Sequence, residues 1–230
     1  MTQLVRLEYD SLGAVEVPAS ALWGAQTQRA LMNFAIGDEL IPLNLIYALA
    51  KIKHAAAIAN HNLKVLEEDK KKLIIQASLE IANGQHNNHF PLKIWQTGSG
   101  TQTNMNINEV ISNLGSISQG MPLGSHTPLD PNDDVNRSQS TNDVFPAAIQ
   151  IATVEGITQK LLPEIKLLIS ALSKKSSDWE QITKIGRTHL QDAVPLTLGQ
   201  EVSAWRDQIS TASHRLETSL LEIYQLPLGG

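Results

Sequence analysis

Apolar positions recur at intervals of three and four through most of this chain, and at intervals of two in one short run. The short run is Val15 and Val17 about Glu16, which permits a strand or hairpin arm. It lies in an otherwise irregular opening segment (1–40) punctuated by Gly13, Pro18, Gly24 and Gly37. Pro42 then opens a helix whose buried face is Leu45, Leu49, Ile52, Ala56 and Ala59. A second helix starts near Glu67 and runs through Leu73, Ile74, Ala77 and Ile81. It ends at Gly84, where glycine can take the positive φ of a C-cap. After Asp143 the helical period is strong. Leu161, Leu162, Ile165, Leu168, Ile169 and Leu172 form one seam, with a kink expected at Pro163. Beyond Gly199, a longer helix follows Val202, Trp205, Ile209, Ala212, Leu216, Leu220 and Ile223.

Residues 86–146 break this pattern. Gly, Ser, Thr, Asn and Asp dominate there, with one helix expected over 104–114. So much polar loop is costly in a helical protein unless it builds a site. The pattern therefore predicts a mainly α fold: a mixed helical N-terminal domain over 1–139, then the first long helices of a truncated central helical bundle over 140–230. The two long helices are expected to be joined by one polar loop. Each has an apolar face wanting more partners than the chain supplies. The closing Pro227-Leu228-Gly229-Gly230 reads as the entry to a loop, so truncation or obligatory assembly is expected.

Composition narrows the function classes. The hydrophobic fraction of 42% suffices for a real core, which argues against wholesale disorder. The net charge of −5 is mild, and no Lys/Arg run has the look of a nucleic-acid footprint. Lys70, Lys71 and Lys72 follow Glu67, Glu68 and Asp69 and read as a solvated helix start. The chain has no cysteine, which excludes disulfides, thiolate nucleophiles and Cys-ligated zinc and suits a cytosol. Residues 1–10 hold no signal-peptide core, and no apolar run could span a bilayer. A soluble cytoplasmic protein is expected.

Four polar segments could hold chemistry. In Gly98-Ser99-Gly100-Thr101-Gln102-Thr103-Asn104, small residues let backbone N–H groups approach a ligand, and a helix begins on the far side. No Lys follows the glycines, so this is not a Walker loop; a flexible capping turn is the plainer alternative. Asp130-Pro131-Asn132-Asp133-Asp134 suggests a calcium loop, but the sharp-turn glycine is missing and Thr141 stands where a bidentate Glu is needed. An Asx-rich turn and a ligand-contacting loop both remain open there. Ser140, Thr141 and Asn142 precede a helix with Pro146 near its first turn. A helix needs one cap and here are three, which a bound carboxylate would use. Finally, Thr188 could bind a carboxylate while His189 handles or orients a proton, although a lone histidine is more often structural.

Taken together these segments resemble class II fumarase. The resemblance runs through Leu22-Trp23-Gly24-Ala25-Gln26-Thr27-Gln28-Arg29, through residues 95–106 (Trp95-Gln96-Thr97-Gly98-Ser99-Gly100-Thr101 onward), through 131–146 and through 184–197. It implies a homotetramer with a long helical core, whose active sites each draw on three subunits, and reversible addition of water to fumarate giving (S)-malate. It implies no cofactor and no metal. Ser99, Gly100, Thr101, Ser140, Thr141, Asn142 and Thr188 would bind the dicarboxylate, and His189 would act as acid/base, on or through a water. Removing a proton beside a carboxylate builds a doubly charged aci-carboxylate, which fixed hydroxyls, amides and a helix N-terminus stabilise. The family's accessory dicarboxylate site would fall at Asp130, Pro131, Asn132 and Asp133. Here, though, Asp130 replaces the usual His, and Thr127 stands where a basic residue is expected. The family's flexible Gly-Ser-Ser loop, its base serine and a substrate-binding Lys and Asn have no counterpart in this sequence. Two alternatives stay open: an aspartate ammonia-lyase of the same fold, and a non-catalytic fragment serving only in assembly.

Overall fold

Helices built largely on those apolar stripes dominate the computed structural model, which describes residues 4–229. The first three residues of the opening segment and the closing Gly230 lie outside the described residues. The chain packs as two units. One runs to residue 152 and includes the stretch from 226; the other is 153–225. The sequence-based boundary at 139/140 falls just before the fifth helix, and the two units divide within that helix.

In the first unit the Val15/Val17 alternation forms a hairpin, β1 (Val5–Asp10) paired antiparallel with β2 (Gly13–Pro18). Helix α1 (Ala25–Asn33) follows where the sequence reads as irregular. Gly24 caps it without any side-chain bond, so no local signal announces the start. Its cap is tertiary. The Glu109 carboxylate accepts from the N–H groups of Gly24 (2.9 Å), Gln26 (2.7 Å) and Thr27 (3.2 Å) and from the Thr27 hydroxyl (2.6 Å). Arg29 then ties α1 to the hairpin through a two-pronged bond to Asp10 at 2.7 and 2.9 Å.

Helix α2 (Leu43–Asn62) starts after Pro42, and α3 (Glu68–Ala82) ends before Gly84, whose φ is +83°. The buried face of α2 begins with Leu45, Leu49 and Ile52 but continues through Lys53, Ala57 and Asn60. Ala56 is only half-buried and Ala59 is exposed. The stripe includes polar residues because the packing segment offers hydrogen-bond partners: the Asn60 amide donates to the Arg137 carbonyl at 2.8 Å. Lys70 also departs from the solvated helix start, since its ammonium pairs with both oxygens of the buried Asp134 at 2.8 Å. Helix α4 (Thr101–Ser118) is longer than 104–114. It is buried on nearly all sides, residues 106–113 without a break, which makes it the centre of this unit. Its core neighbours include Ile46, Leu49, Ile74, Ile81, Leu129 and Val144.

A short turn at Pro131–Val135 precedes α5 (Thr141–Gly156). Pro163 sits in the first turn of α6 (Leu162–Asp178), directly after a π-turn at Ile157–Leu161. That wider turn accommodates the ring and missing N–H of the proline within a helical path. Of the seam on α6, Leu162 is buried and Ile165, Ile169 and Leu172 half-buried, while Leu161 and Leu168 are exposed.

The expected polar loop between the long helices is a β-hairpin, β3 (Thr183–Thr188) antiparallel to β4 (Gln191–Thr197). Helix α7 (Leu198–Ile223) begins with a capping box, Thr197 accepting from the Gln200 N–H at 3.1 Å while the Gln200 amide oxygen accepts from the Thr197 N–H at 2.9 Å. Gly199 is obligatory there, because a Cβ would meet the Ser176 carbonyl of α6 at 2.5 Å. The covered line of α7 is Val202, Arg206, Ile209, Ser213, Leu216, Leu220 and Ile223, alternating by four and three. Trp205 and Ala212, counted in the sequence stripe, each lie one residue off this line and are exposed. Among the described residues no helix is long and apolar enough to cross a membrane.

Candidate active site

Two helix starts meet in the first unit. Gly100 caps α4 with φ +74°, a left-handed conformation that suits glycine. It is buried under Phe145 of α5, so closely that a Cβ would lie 2.2 Å from the ring Cγ. Four residues on, the Asn104 side-chain amide donates to the Thr141 hydroxyl at 2.9 Å. These two contacts hold the first turn of α4 against the first turn of α5.

The hydroxyls gather on these turns. Thr97 donates to the Gln102 amide oxygen at 2.6 Å and lies 3.0 Å from the Ser99 Oγ, which in turn lies 3.1 Å from the Thr101 Oγ1. The Ser140 hydroxyl accepts from the Asn142 N–H at 3.3 Å. Ser99, Thr101, Ser140 and Asn142 are exposed and Thr141 is half-buried. Two helix N-termini with this set of hydroxyls and amides form a surface that favours an anion.

Behind it lies a side chain that hydrophobic periodicity missed. Lys53 of α2 is fully buried, and its ammonium donates to the Asn136 Oδ1 at 2.9 Å and the Gln139 Oε1 at 3.0 Å. Burial pushes its pKa down from 10.5 to about 7. The available signal is its spacing: Lys53 lies four residues after Leu49, on the apolar stripe itself. Glu109 went unnoticed for the same reason. Burial raises its pKa, against the four hydrogen bonds that favour the carboxylate.

The Pro131–Val135 turn is occupied by the chain's own carboxylate. Asp130 accepts from the Asn132 N–H at 2.8 Å and the Asp133 N–H at 2.7 Å, and its other oxygen lies 3.3 Å from the His126 Nδ1. An outside anion at this turn would need those same amides. Pro131 is buried, and Asn132 and Asp133 are exposed.

Thr188 and His189 belong to the second unit. Thr188 pairs with Gln191, so His189 and Leu190 form a two-residue hairpin loop. Both have positive φ, 51° and 63°, with no glycine to relieve it. Left-handed backbone at such residues costs on the order of 1 kcal/mol each. The loop holds His189 fully out of the strands. Its ring is exposed, Leu190 is 93% exposed, and among the described residues no hydrogen bond fixes the imidazole. The Arg187 guanidinium bonds Asp192 across the hairpin at 2.9 Å. Thus Ser99, Gly100, Thr101, Ser140, Thr141 and Asn142 come together in one unit, while Thr188 and His189 share the loop end of the other.

A family model described as lyase matches residues 13–230. The class II fumarate hydratase of Prochlorococcus marinus (strain MIT 9313) is 62% identical over 230 residues, covering 100% of this chain and 49% of that protein. A recombinant class II fumarase from Schistosoma mansoni superposes with a TM-score of 0.93 at 41% identity, covering 97% of this chain and 47% of the other. A fumarate lyase:delta crystallin from Brucella melitensis gives a TM-score of 0.93 at 40% identity, covering 97% and 52%. The chain spans about half the length of the curated relatives it matches.

Proposed function

Since the chain belongs to the lyase family and is a relative of the class II fumarate hydratases, we propose that it supplies the dicarboxylate-binding half of a fumarate hydratase site. One observation supports this above the others. The first turns of α4 and α5 are held together by Gly100 against Phe145 and by Asn104 on Thr141, and they present Ser99, Thr101, Ser140, Thr141 and Asn142 side by side.

In the reaction, water adds across the double bond of fumarate, hydroxyl to one carbon and proton to the other. In the reverse direction a proton leaves the carbon beside a carboxylate, and that carboxylate gathers a second negative charge. The two helix N-termini and their hydroxyls hold this charge where it develops. Thr188 contributes a further hydroxyl, and His189 handles a proton on or through a water. The exposed hairpin loop of His189 suits a residue completed by other subunits, as in a homotetramer with sites shared among three copies. Exposed Leu167, Trp205 and Leu221 on the long helices fit the same assembly. On this reading the reaction is the hydration step of the tricarboxylic acid cycle, in a cytoplasm that the cysteine-free sequence suits.

The test is the loss of fumarate's ultraviolet absorbance with the full chain, alone and with the remaining half of a relative supplied in trans. Hydration that vanishes in His189→Ala is the expected result. Ammonia released from aspartate, with no turnover of fumarate or malate, would replace this reading by an ammonia-lyase.

A further inference from the structure

A lysine buried without a carboxylate needs a reason, because removing its charge from water is costly. Lys53 has neutral partners on the 136–139 segment. Its two bonds point the amide oxygens of Asn136 and Gln139 inward. The other end of the Asn136 amide donates to the Gln139 carbonyl at 3.1 Å, so its orientation is fixed at both ends. The Asn136 Oδ1 also accepts from the Asn104 Nδ2 at 3.0 Å. That same nitrogen donates to Thr141 at 2.9 Å, so both its protons are used. Among the described residues the Asn104 Oδ1 is buried without a partner, so the amide is turned by the Asn136 oxygen and Thr141. A Thr141 hydroxyl that accepts from Asn104 has its own proton free for a ligand.

We infer that Lys53 is a positioning residue for the candidate site: through Asn136 and Asn104 it turns the Thr141 hydroxyl outward and places a buried positive charge behind the Ser140–Thr141–Asn142 turn. The inference deepens the reading of that turn as a dicarboxylate site and rests on it. Its chemistry is anion binding. A unit charge acting across roughly 10 Å at an effective dielectric near 20 corresponds to about a tenfold change in affinity.

Other charged groups sit on the elements packed around Lys53: Lys51 and His61 share α2, Glu68, Asp69, Lys71, Lys72 and Glu80 lie on α3, and Glu109 of α4 is bonded to the start of α1. His54 follows it on α2, Asp134 is already paired with Lys70, and Arg137 and Asp143 flank the turn. Burial alone lowers the Lys53 pKa, to about 7. Anion affinity should therefore be full below about pH 6 and fall about tenfold as pH rises through 7 to above 8, as the ammonium is lost. In Lys53→Met that fall should be absent.

The experiment uses the full chain, isotope-labelled, with fumarate as the probe and NMR as the readout. In Lys53→Met, fumarate binding weakens about tenfold and the Asn104 side-chain amide and Thr141 signals shift. Asn136→Leu gives the same shifts, and the two substitutions together add little, because they cut one relay. Wild-type affinity that is flat from pH 6 to 9, or a Lys53→Met chain that binds fumarate normally with unmoved Asn104 and Thr141 signals, overturns the inference. If Lys53→Met does not fold, Asn136→Leu and the wild-type pH profile decide. If the wild type binds no fumarate, the dicarboxylate reading falls by itself. The orientation of Thr141 is then still judged from the Asn104 and Thr141 signals in Asn136→Leu.

Discussion

Replacing Gly100 by alanine should pry apart the two helix starts that make the site. Two effects add. Gly100 has φ +74°, where an alanine costs about 1–2 kcal/mol. Its new Cβ would also lie 2.2 Å from Phe145 Cγ and 2.4 and 2.5 Å from the two Cδ atoms. The Phe145 ring packs against the core of the first unit and cannot swing aside as a flexible chain end would. Overpacking of this kind costs about 1–3 kcal/mol. Gly100→Ala is thus expected to lose about 2–5 kcal/mol, read as a fall in the urea midpoint at unchanged slope. Gly98→Ala is the internal control. A Cβ there meets nothing within 4 Å, so the change should stay within about 0.5 kcal/mol. Phe145→Ala removes the clash but not the backbone cost, so the double variant should lose less than the sum of the singles. Equal stability of Gly100→Ala and Gly98→Ala would refute the packing of α4 on α5 described above.

Glu109→Ala leaves the N–H groups of Gly24, Gln26 and Thr27 without their acceptor. A loss of about 3 kcal/mol and early hydrogen exchange confined to α1 are expected. Lys53 gives a pH signature: with its pKa lowered from 10.5 to about 7, the unfolded chain holds a proton that the folded chain releases between these values. Stability relative to Lys53→Met should rise as pH climbs from 7 to 10 and stay level below 7, as denaturant titrations at each pH would show. Leu190→Gly relieves one positive φ in the hairpin loop and should raise the thermal midpoint, corresponding to about 0.5–1 kcal/mol.

Much of the fold is written in local patterns. Pro42, Gly84 and the stripes of Leu45, Leu49, Ile74, Ala77 and Ile81 mark α2 and α3 because propensity, capping and burial agree there. Where they part, the sequence was silent. Helix α1 is capped by a carboxylate more than eighty residues away, and no local motif reveals that. The β3–β4 hairpin turns on His189 and Leu190 without the Asn-Gly pair that announces such loops. On α7 the covered line runs through Arg206 and Ser213, which an apolar count passes over in favour of the neighbouring Trp205 and Ala212. The candidate site was legible as a set of hydroxyl-rich turns. What joins them, Gly100 under Phe145 and Asn104 on Thr141, and what stands behind them, Lys53, needed the three-dimensional structure.

The most direct test is calorimetric titration of fumarate into the full chain and into Thr141→Val, Asn142→Ala and Ser140→Ala. Thr141→Val keeps the volume but removes the hydroxyl that Asn104 orients. Saturable binding, weakened at least tenfold by Thr141→Val and unaffected by Gln119→Ala on the far end of α4, is the predicted result. Binding that is indifferent to all three substitutions would contradict the assignment of the paired helix starts as the dicarboxylate site.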